Sequence, residues 1–349
     1  MFFASDNWAG AHPKVCEALA AHAGGFAAAY GASELDKKVG ERFSEVFERE
    51  VAVFFVGTGT AANALALAAV SPPGGVCFCH AESHMLEDEC GAPEFLSAGG
   101  RLRAVAGPLG RMDGGTLERA VGHFSPGDVH GGRAAAVSLT QTTEVGTAYE
   151  LDAIGAAGDL CRAKGLALHM DGARFANALV ALGCSPAEMT WRRGVDLLSF
   201  GGTKNGCWCA EALVFFDPAR AREFPYLRKR TAQLFSKTRF VAAQFEAYFE
   251  DGLWLENARH ANRMAGMLAD AMRGAGRVRL AWEPEANEVF GVMGVGEVRR
   301  LREAGAVFYE WKAPQGWDGA GEGEVLCRFV TSFATGVGEV ERLVEALRL

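Results

Sequence analysis

A lysine lies in a glycine-rich turn after an apolar segment, in residues 199–206 (SFGGTKNG). Glycine lets the backbone approach a bound molecule closely, and burial between apolar strands favours a neutral, nucleophilic amine. The chain has eight lysines among 35 basic residues, and the other seven lie in segments that predict solvated surfaces. Lys204 is therefore the candidate for an amine that bonds covalently to a carbonyl group.

An aspartate and an arginine follow another apolar segment, in residues 169–174 (HMDGAR). Ligands of open parallel sheets bind beyond the carboxyl ends of the strands. Asp171 would be partly desolvated there and would stay ionised only beside a cation. That cation could be Arg174, in a structural pair at a helix start, or it could belong to a ligand. His169 is interpreted as a structural histidine of the layer behind.

The third motif is Gly57-Thr58-Gly59-Thr60, directly after an apolar strand and at the start of an Ala/Leu-rich helix. Exposed N–H groups and the positive end of the helix dipole bind anions at such a junction. The spacing matches neither the P-loop nor the dinucleotide fingerprint. The motif predicts either an ordinary strand-to-helix turn or a site for one phosphate monoester.

One ligand satisfies all three motifs. It needs a phosphate for the threonine and glycine turn, a cationic ring nitrogen for Asp171, and a carbonyl for Lys204. Pyridoxal 5′-phosphate (PLP) carries all three groups. The combination is therefore much more specific than any motif alone.

The elements that would position these motifs alternate between short apolar runs and amphipathic stretches. Unalternating apolar runs indicate strands covered on both faces, and hence a mostly parallel sheet in an α/β fold. After Gly252 the pattern changes to long helices and a few strands. We therefore predict a large domain at residues 1–252, including the N-terminal segment, and a smaller C-terminal α+β domain at residues 253–349.

Composition narrows the class further. A net charge of -8 argues against nucleic acid or an anionic membrane as the main partner. No apolar run has the ~18 residues of a membrane span, and residues 1–11 do not resemble a signal peptide. Of nine cysteines, only Cys77/Cys79 and Cys207/Cys209 are spaced C-x-C; most of the nine are interpreted as buried thiols in a reducing cytoplasm, and no metal site is expected.

Over nearly its whole length the chain resembles the low-specificity L-threonine aldolases, and equally the phenylserine aldolases, among the fold type I (aspartate-aminotransferase-like) PLP enzymes. The motifs that carry the resemblance are FASDN at 3–7, GTGTAAN at 57–63, His84, DGAR at 171–174, Lys204 and RFVTS at 328–332.

The resemblance implies a role for each matching residue. Lys204 would hold the cofactor covalently, Asp171 would pair with its ring nitrogen, and His84 would stack on the ring. Thr58, Gly59 and Thr60 would bind its phosphate, and Arg174 would lie near its phenolate oxygen and the substrate. Ser5 and Arg328 would hold the substrate carboxylate, with Asp6 beside them. His130 would lie near the substrate β-hydroxyl, where it or a water acts as base.

Two further features bear on specificity and assembly. Many threonine aldolases have an aromatic residue near the stacking histidine, whereas this chain has Asp88. On a helix Asp88 would share a face with His84, where it could orient the imidazole or contact the substrate. By the same resemblance, Tyr30, Lys229 and Lys237 would reach the active site of a neighbouring subunit in a homo-oligomer, dimer or tetramer.

The resulting hypothesis is a retro-aldol lyase that cleaves L-threonine, L-allo-threonine or a related 3-hydroxy amino acid such as phenylserine to glycine and an aldehyde. A β-eliminating lyase and an aminotransferase are the alternatives within the same cofactor chemistry. A non-catalytic regulator that has kept the fold is an alternative of another class. A nucleotide-binding oxidoreductase is weaker, because the dinucleotide fingerprint is missing.

Overall fold

The computed structural model describes residues 1–124, 127 and 129–348. Its α-helices are α1 (Pro13–Ala21), α2 (Glu34–Val46), α3 (Gly59–Val70), α4 (His84–Glu87), α5 (Ala92–Leu96), α6 (Gly114–Gly122), α7 (Leu151–Lys164), α8 (Phe175–Leu182), α9 (Pro186–Met189), α10 (Phe224–Arg230), α11 (Arg239–Phe249), α12 (Leu253–Ala275), α13 (Val295–Glu303) and α14 (Val337–Arg348). Its strands are β1 (Ala52–Val56), β2 (Gly75–His80), β3 (Arg101–Val105), β4 (Arg133–Thr140), β5 (Ala167–Gly172), β6 (Leu197–Gly201), β7 (Glu211–Phe215), β8 (Val278–Leu280), β9 (Glu288–Gly294), β10 (Tyr309–Glu310) and β11 (Glu324–Val330).

The first sheet has seven strands in the order β1-β7-β6-β5-β4-β2-β3, and only β7 runs against the others. Strands β2, β5, β6 and β7 are buried along their whole length, as unalternating apolar runs predict. Because six strands point the same way, the turns that carry Thr58, His84, Asp171 and Lys204 all leave the same edge of the sheet.

The second sheet is antiparallel, with the order β10-β11-β9-β8. Along α12 the core changes: Trp254 and Ala258 pack with the first sheet, whereas Met264 and Leu268 pack with the second. The predicted boundary near Gly252 falls just before this helix. The division into residues 1–252 and 253–349 stays a prediction.

The N-terminal segment belongs by its contacts to the second sheet. The backbone of Phe3 donates to the Val307 carbonyl and accepts from Val330 N, at 2.8 Å each, and its side chain is fully buried in the second core. Its extended backbone lies beside β11 and carries Ser5 and Asp6 to the edge of the first sheet, where Asp6 contacts Arg174. The assignment of this segment to the large domain stays a prediction.

Candidate active site

Lys204 lies in a single turn of 3-10 helix, Thr203–Asn205, directly after β6. A Cβ on Gly201 would lie 2.7 Å from the Ala173 carbonyl oxygen, and one on Gly202 2.8 Å from that of Ala210. Only glycine permits this packing, which brings the turn against the end of β5. The Lys204 side chain is half-buried and makes no hydrogen bond or ion pair with residues 1–124, 127 and 129–348.

Asp171 lies on the neighbouring strand and is buried. Its Oδ2 accepts a hydrogen bond from Asn63 Nδ2 at 2.9 Å, and its Oδ1 accepts from the Ala173 N–H at 3.1 Å. Burial raises the pKa of Asp171, and the charge of Glu89 adds to the rise, while His84 and Lys204 lower it. Within the described residues Asp171 has no cation in salt-bridge contact, so the anion would be stabilised by a cationic ligand.

The start of α3 is the predicted anion site. Thr58 is the N-cap and accepts from the Ala61 N–H at 3.0 Å, while nothing lies within 4 Å of where a Gly59 Cβ would stand. The helix has twelve residues, so its dipole is well developed. Free N–H groups and open space at the same end are what a phosphate group requires.

His84 begins α4, and its Nδ1 lies 2.9 Å from Glu89 Oε1. This hydrogen bond raises the pKa of His84, against the effect of burial. Asp88 is exposed, because α4 ends at Glu87 and the chain leaves the helical path. Glu89, and not the predicted Asp88, therefore contacts the imidazole.

Two buried arginines lie where the N-terminal segment meets both sheets. Arg174 donates from Nε and one Nη to Asp6 at 2.7 and 3.0 Å, and an Nη lies 3.4 Å from Glu288. Arg328 Nη1 also lies 3.4 Å from Glu288, and its guanidinium stacks 3.7 Å from the centroid of the Trp311 ring. Arg328 Nε has no hydrogen-bond partner among the described residues. The fork of Arg174 is thus filled by protein, whereas Arg328 keeps a donor for a ligand.

Asp6 holds this junction together. Burial alone would raise the pKa of Asp6, but Arg174, Lys204 and a hydrogen bond from Asn287 hold it below the usual value. A lowered carboxyl pKa contributes stability above the unfolded-state pKa of about 3.9, and this stability is lost as the pH falls through the folded-state value.

We therefore expect Asp6→Asn to lower the free energy of unfolding by about 3 kcal/mol at pH 7, because Arg174 loses its buried partner. Urea unfolding of wild type and variant would measure the difference. It should shrink as the pH is lowered below about 4. A difference that is equally large in strong acid would contradict the assignment.

Ser5 is the N-cap of the 3-10 turn Asp6–Trp8, and its half-buried hydroxyl accepts from the Asn7 N–H at 3.1 Å. This position beside Ala4, whose carbonyl lies 3.5 Å from Arg328 Nη2, agrees with the predicted pairing of Ser5 and Arg328. Both oxygens of Asp6 are already occupied by protein donors. Asp6 is thus placed to position Arg174 rather than to hold a substrate.

His130 does not join this group within one chain. It is exposed, in a turn just before β4, where the next residue, Gly131, accepts a hydrogen bond from Arg101 at the start of β3. The whole of β4, eight residues or roughly 26 Å, separates that turn from the edge that carries Lys204. His130 therefore lies at the opposite edge of the sheet from Lys204 within one chain.

The residues predicted to serve a neighbouring subunit lie together on the surface. Lys229 Nζ lies 5.1 Å from the centroid of the exposed Tyr30 ring, and the Tyr30 N–H donates to the Ser236 carbonyl next to Lys237. The same segment also contacts its own anion site, because Gln233 Oε1 accepts from the Gly57 N–H at 3.0 Å.

Five polar residues of the site were not found by sequence reasoning: Asn63, Glu89, Glu144, Glu211 and Glu288. Asn63 is a buried amide in an Ala/Leu-rich helix, and this contrast was a usable signal. Glu144, in the turn after β4, raises the pKa values of His84 and Asp171 by its charge. Glu211 begins β7 opposite Gly201, and burial raises its pKa to about 7. Glu144 follows a strand, Glu211 and Glu288 begin strands, and Glu89 follows α4, and none of these acids lies in a motif that the sequence analysis assigned to the site.

His169 is confirmed as structural. Its two ring nitrogens lie 2.8 and 2.9 Å from the hydroxyls of Ser138 and Ser199 on the flanking strands. Burial lowers its pKa to about 3, so it remains neutral. It fixes β4, β5 and β6 together behind Asp171.

A mostly parallel sheet that brings a lysine, a buried aspartate and a glycine-rich helix start to one edge defines the fold type I class of enzymes. A family model described as beta-eliminating lyase matches residues 3–304. The chain belongs to this family. The predicted fold class and the predicted enzyme class, a PLP-dependent lyase, are both confirmed by the comparisons.

The similar proteins agree with one another. The low specificity L-threonine aldolase of Pseudomonas aeruginosa is 40% identical over 99% of this chain and 97% of its own length. The enzyme of the same name from another Pseudomonas strain is 38% identical over 99% and 96%. A solved structure of Leishmania major threonine aldolase is 28% identical, with a TM-score of 0.91 over 99% of this chain and 98% of that one.

Proposed function

We propose that this protein is a PLP-dependent aldolase that cleaves L-threonine, L-allo-threonine or a related L-3-hydroxy amino acid to glycine and an aldehyde. The observation that carries the proposal is the meeting of Lys204, Asp171 and the start of α3 at one sheet edge. The relatives named threonine aldolases, which the chain matches over nearly its full length, support the choice of substrate.

The site residues fit PLP by their chemistry. Asp171 is a buried carboxylate without a cationic partner in the described chain, as a protonated ring nitrogen needs. Lys204 has an uncommitted amine, and Thr58, Gly59 and Thr60 offer N–H groups and hydroxyls for a phosphate. When bound, PLP would supply an electron sink for the pair released by breaking Cα–Cβ.

The side chains of this protein would bind and position the cofactor and the substrate. Lys204 would hold PLP through its amine, and Asp171 would pair with the ring nitrogen. Arg328 would bind the substrate carboxylate. Arg174, held in place by Asp6, would lie beside it. His84 would stack on the cofactor ring. Within a single chain we assign a water as the acceptor of the β-hydroxyl proton, because His130 lies at the edge of the first sheet opposite to Lys204.

The product assay tests this function directly. PLP-loaded protein is incubated separately with L-threonine and L-phenylserine, and glycine, aldehyde, ammonia and keto acid are measured. Glycine with an equal amount of aldehyde is the expected result. Ammonia with keto acid would instead establish a β-eliminating lyase, and a coloured protein without turnover would establish a sensor.

A second prediction concerns Arg328. Arg328→Lys keeps the positive charge but loses the two-pronged geometry that matches a carboxylate. We expect KM to rise about 10- to 100-fold, the equivalent of a charged hydrogen bond, with a smaller change in kcat. Steady-state kinetics with L-threonine measure both constants. An unchanged KM would remove Arg328 from the substrate site.

We also propose a homo-oligomer in a reducing cytoplasm. The exposed cluster of Tyr30, Lys229 and Lys237 supports the first part, since an aromatic ring and two cations on a surface suit an interface around a phosphate. Nine cysteines without a disulfide support the second. No helix in the described part of the chain is long and apolar enough to cross a membrane.

A further inference from the structure

A buried carboxylate links two of the predicted site residues. Glu89 Oε1 contacts His84 Nδ1 and also accepts from Asn63 Nδ2, both at 2.9 Å. The same Asn63 nitrogen donates to Asp171 Oδ2 at 2.9 Å. A continuous series of polar contacts therefore joins the imidazole to the acid at the end of β5.

The backbone adopts a strained path to place Glu89 there. After α4 ends, Cys90 and Gly91 have φ angles of 51° and 75°. A non-glycine residue in this region costs on the order of 1 kcal/mol. The Glu89 carbonyl accepts from the Ala92 N–H at 2.9 Å, which closes the turn. The turn fixes the Glu89 side chain beneath His84.

The contacts also define which atoms of the pair face each other. Glu89 has a fully buried side chain, and His84 is its only ion partner in the described chain. Glu89 Oε1 accepts from the Asn63 amide and faces Nδ1 of His84. Nε2 is the remaining polar atom of the His84 ring.

We propose that Glu89 is a positioning residue of this site, which holds His84 through Nδ1 and Asp171 through Asn63, so that the ring-covering imidazole and the ring-nitrogen acid keep a fixed relation. The proposal rests on the proposed function for its catalytic part only. The raised pKa of His84, caused first by its hydrogen bond to Glu89, agrees with it.

The charged groups that act on His84 come from several elements. Glu89 after α4, Glu144 after β4 and Asp171 at the end of β5 raise the pKa of His84, whereas Lys204 after β6 lowers it. Among the groups that raise the pKa of His84, Glu89 has the largest effect, through its hydrogen bond. Removing the Glu89 carboxylate should therefore lower the His84 pKa measurably.

The test compares Glu89→Gln with Glu87→Gln in the PLP-loaded enzyme. Glu87 is exposed on the same short helix, so its variant removes an equal charge without touching the imidazole. Histidine-labelled protein is titrated by NMR, and the His84 signal is assigned by its loss in His84→Asn. We expect Glu89→Gln to lower the His84 pKa by about one unit. It should also lower kcat about 10- to 100-fold, with KM changing less. Glu87→Gln should do neither.

Asn63→Ala tests the other half of the series. It leaves the His84–Glu89 contact in place but frees Asp171, so kcat should fall while the His84 pKa stays raised. Should Glu89→Gln fail to fold, Glu89→Asp replaces it, because the shorter side chain withdraws from Nδ1 and the His84 pKa should again fall.

The outcomes separate the two proposals. A folded Glu89→Gln enzyme with the wild-type His84 pKa and kcat overturns the positioning role, even if threonine is cleaved. A wild type that releases ammonia and keto acid overturns the aldolase function, and the NMR titration still decides whether Glu89 holds His84.

Discussion

Lys204→Ala is expected to give a folded protein without the near-UV/visible absorbance of a lysine-bound cofactor and with turnover reduced at least about 10³-fold. The reason is geometric. The Lys204 amine lies in a turn that Gly201 and Gly202 press against the neighbouring strand, and within the described chain no acid forms an ion pair with it. Alanine there removes the nucleophile without breaking an ion pair or a hydrogen bond of the described chain.

The measurement is an absorption spectrum before and after borohydride reduction, followed by mass mapping of the modified peptide. Wild type should carry the cofactor on the peptide that contains Lys204, and Lys204→Ala should carry none. Lys164→Ala, an exposed lysine at the end of α7, is the control and should behave as wild type. Retained absorbance and labelling in Lys204→Ala would refute the covalent role and the proposal built on it.

The sequence predicted the first sheet well, because four of its strands are buried along their whole length. The short apolar runs became strands of this sheet, and each motif that followed one was carried to the same edge by the parallel connections. Local pattern and tertiary environment agree there. By the same logic, the sequence predicts that Lys204, Asp171 and the start of α3 lie together.

The prediction was weaker where packing overrides local pattern. The pattern from about Thr231 to Asp251 predicts one long helix, but α11 begins only at Arg239. The intervening residues pack on the anion site instead: Gln233 bonds the Gly57 N–H, and a Gly57 Cβ would lie 2.9 Å from the Phe235 ring. After Gly252 the pattern predicts helices over 253–274 and 337–349 and strands over 287–293, 306–311 and 324–331. It does not predict β8 or α13, because β8 is a three-residue edge strand and α13 is a mostly polar helix.

The polar residues of the site also differ in how well the local sequence predicts them. Residues in a motif, such as Asp171, could be read from their neighbours in the chain. Glu89 could not, because its spacing from His84 is set by a left-handed turn at Cys90 and not by helical periodicity. The antiparallel pairing of β9 and β11 brings Glu288 beside Arg328. Glu288 also contacts Arg174, from which it is 114 residues away in the chain.

Asp171→Asn is expected to lower the activity while raising the stability of the cofactor-free protein. Its charge keeps a proton on the ring nitrogen, so the variant should lose about 10²–10³-fold in kcat, as other fixed electrostatic partners do. Absorbance from the lysine-bound cofactor should persist, because Lys204 is intact. Near-normal turnover would show that the ring nitrogen is not the partner of Asp171.

The same substitution should stabilise the cofactor-free protein at neutral pH. Burial raises the pKa of Asp171, so the folded state binds its proton more tightly than the unfolded state, and stability falls as the pH rises through the interval between the two pKa values. Asparagine removes that cost, and the advantage should shrink as the pH is lowered toward about 4. Urea unfolding from pH 4 to 8 measures this, with the exposed Asp159→Asn as control. Asp6→Asn should instead destabilise the protein at neutral pH, since the pKa of Asp6 is lowered. The contrast distinguishes Asp171, which has no cationic partner in the described chain, from Asp6, which is already paired with Arg174.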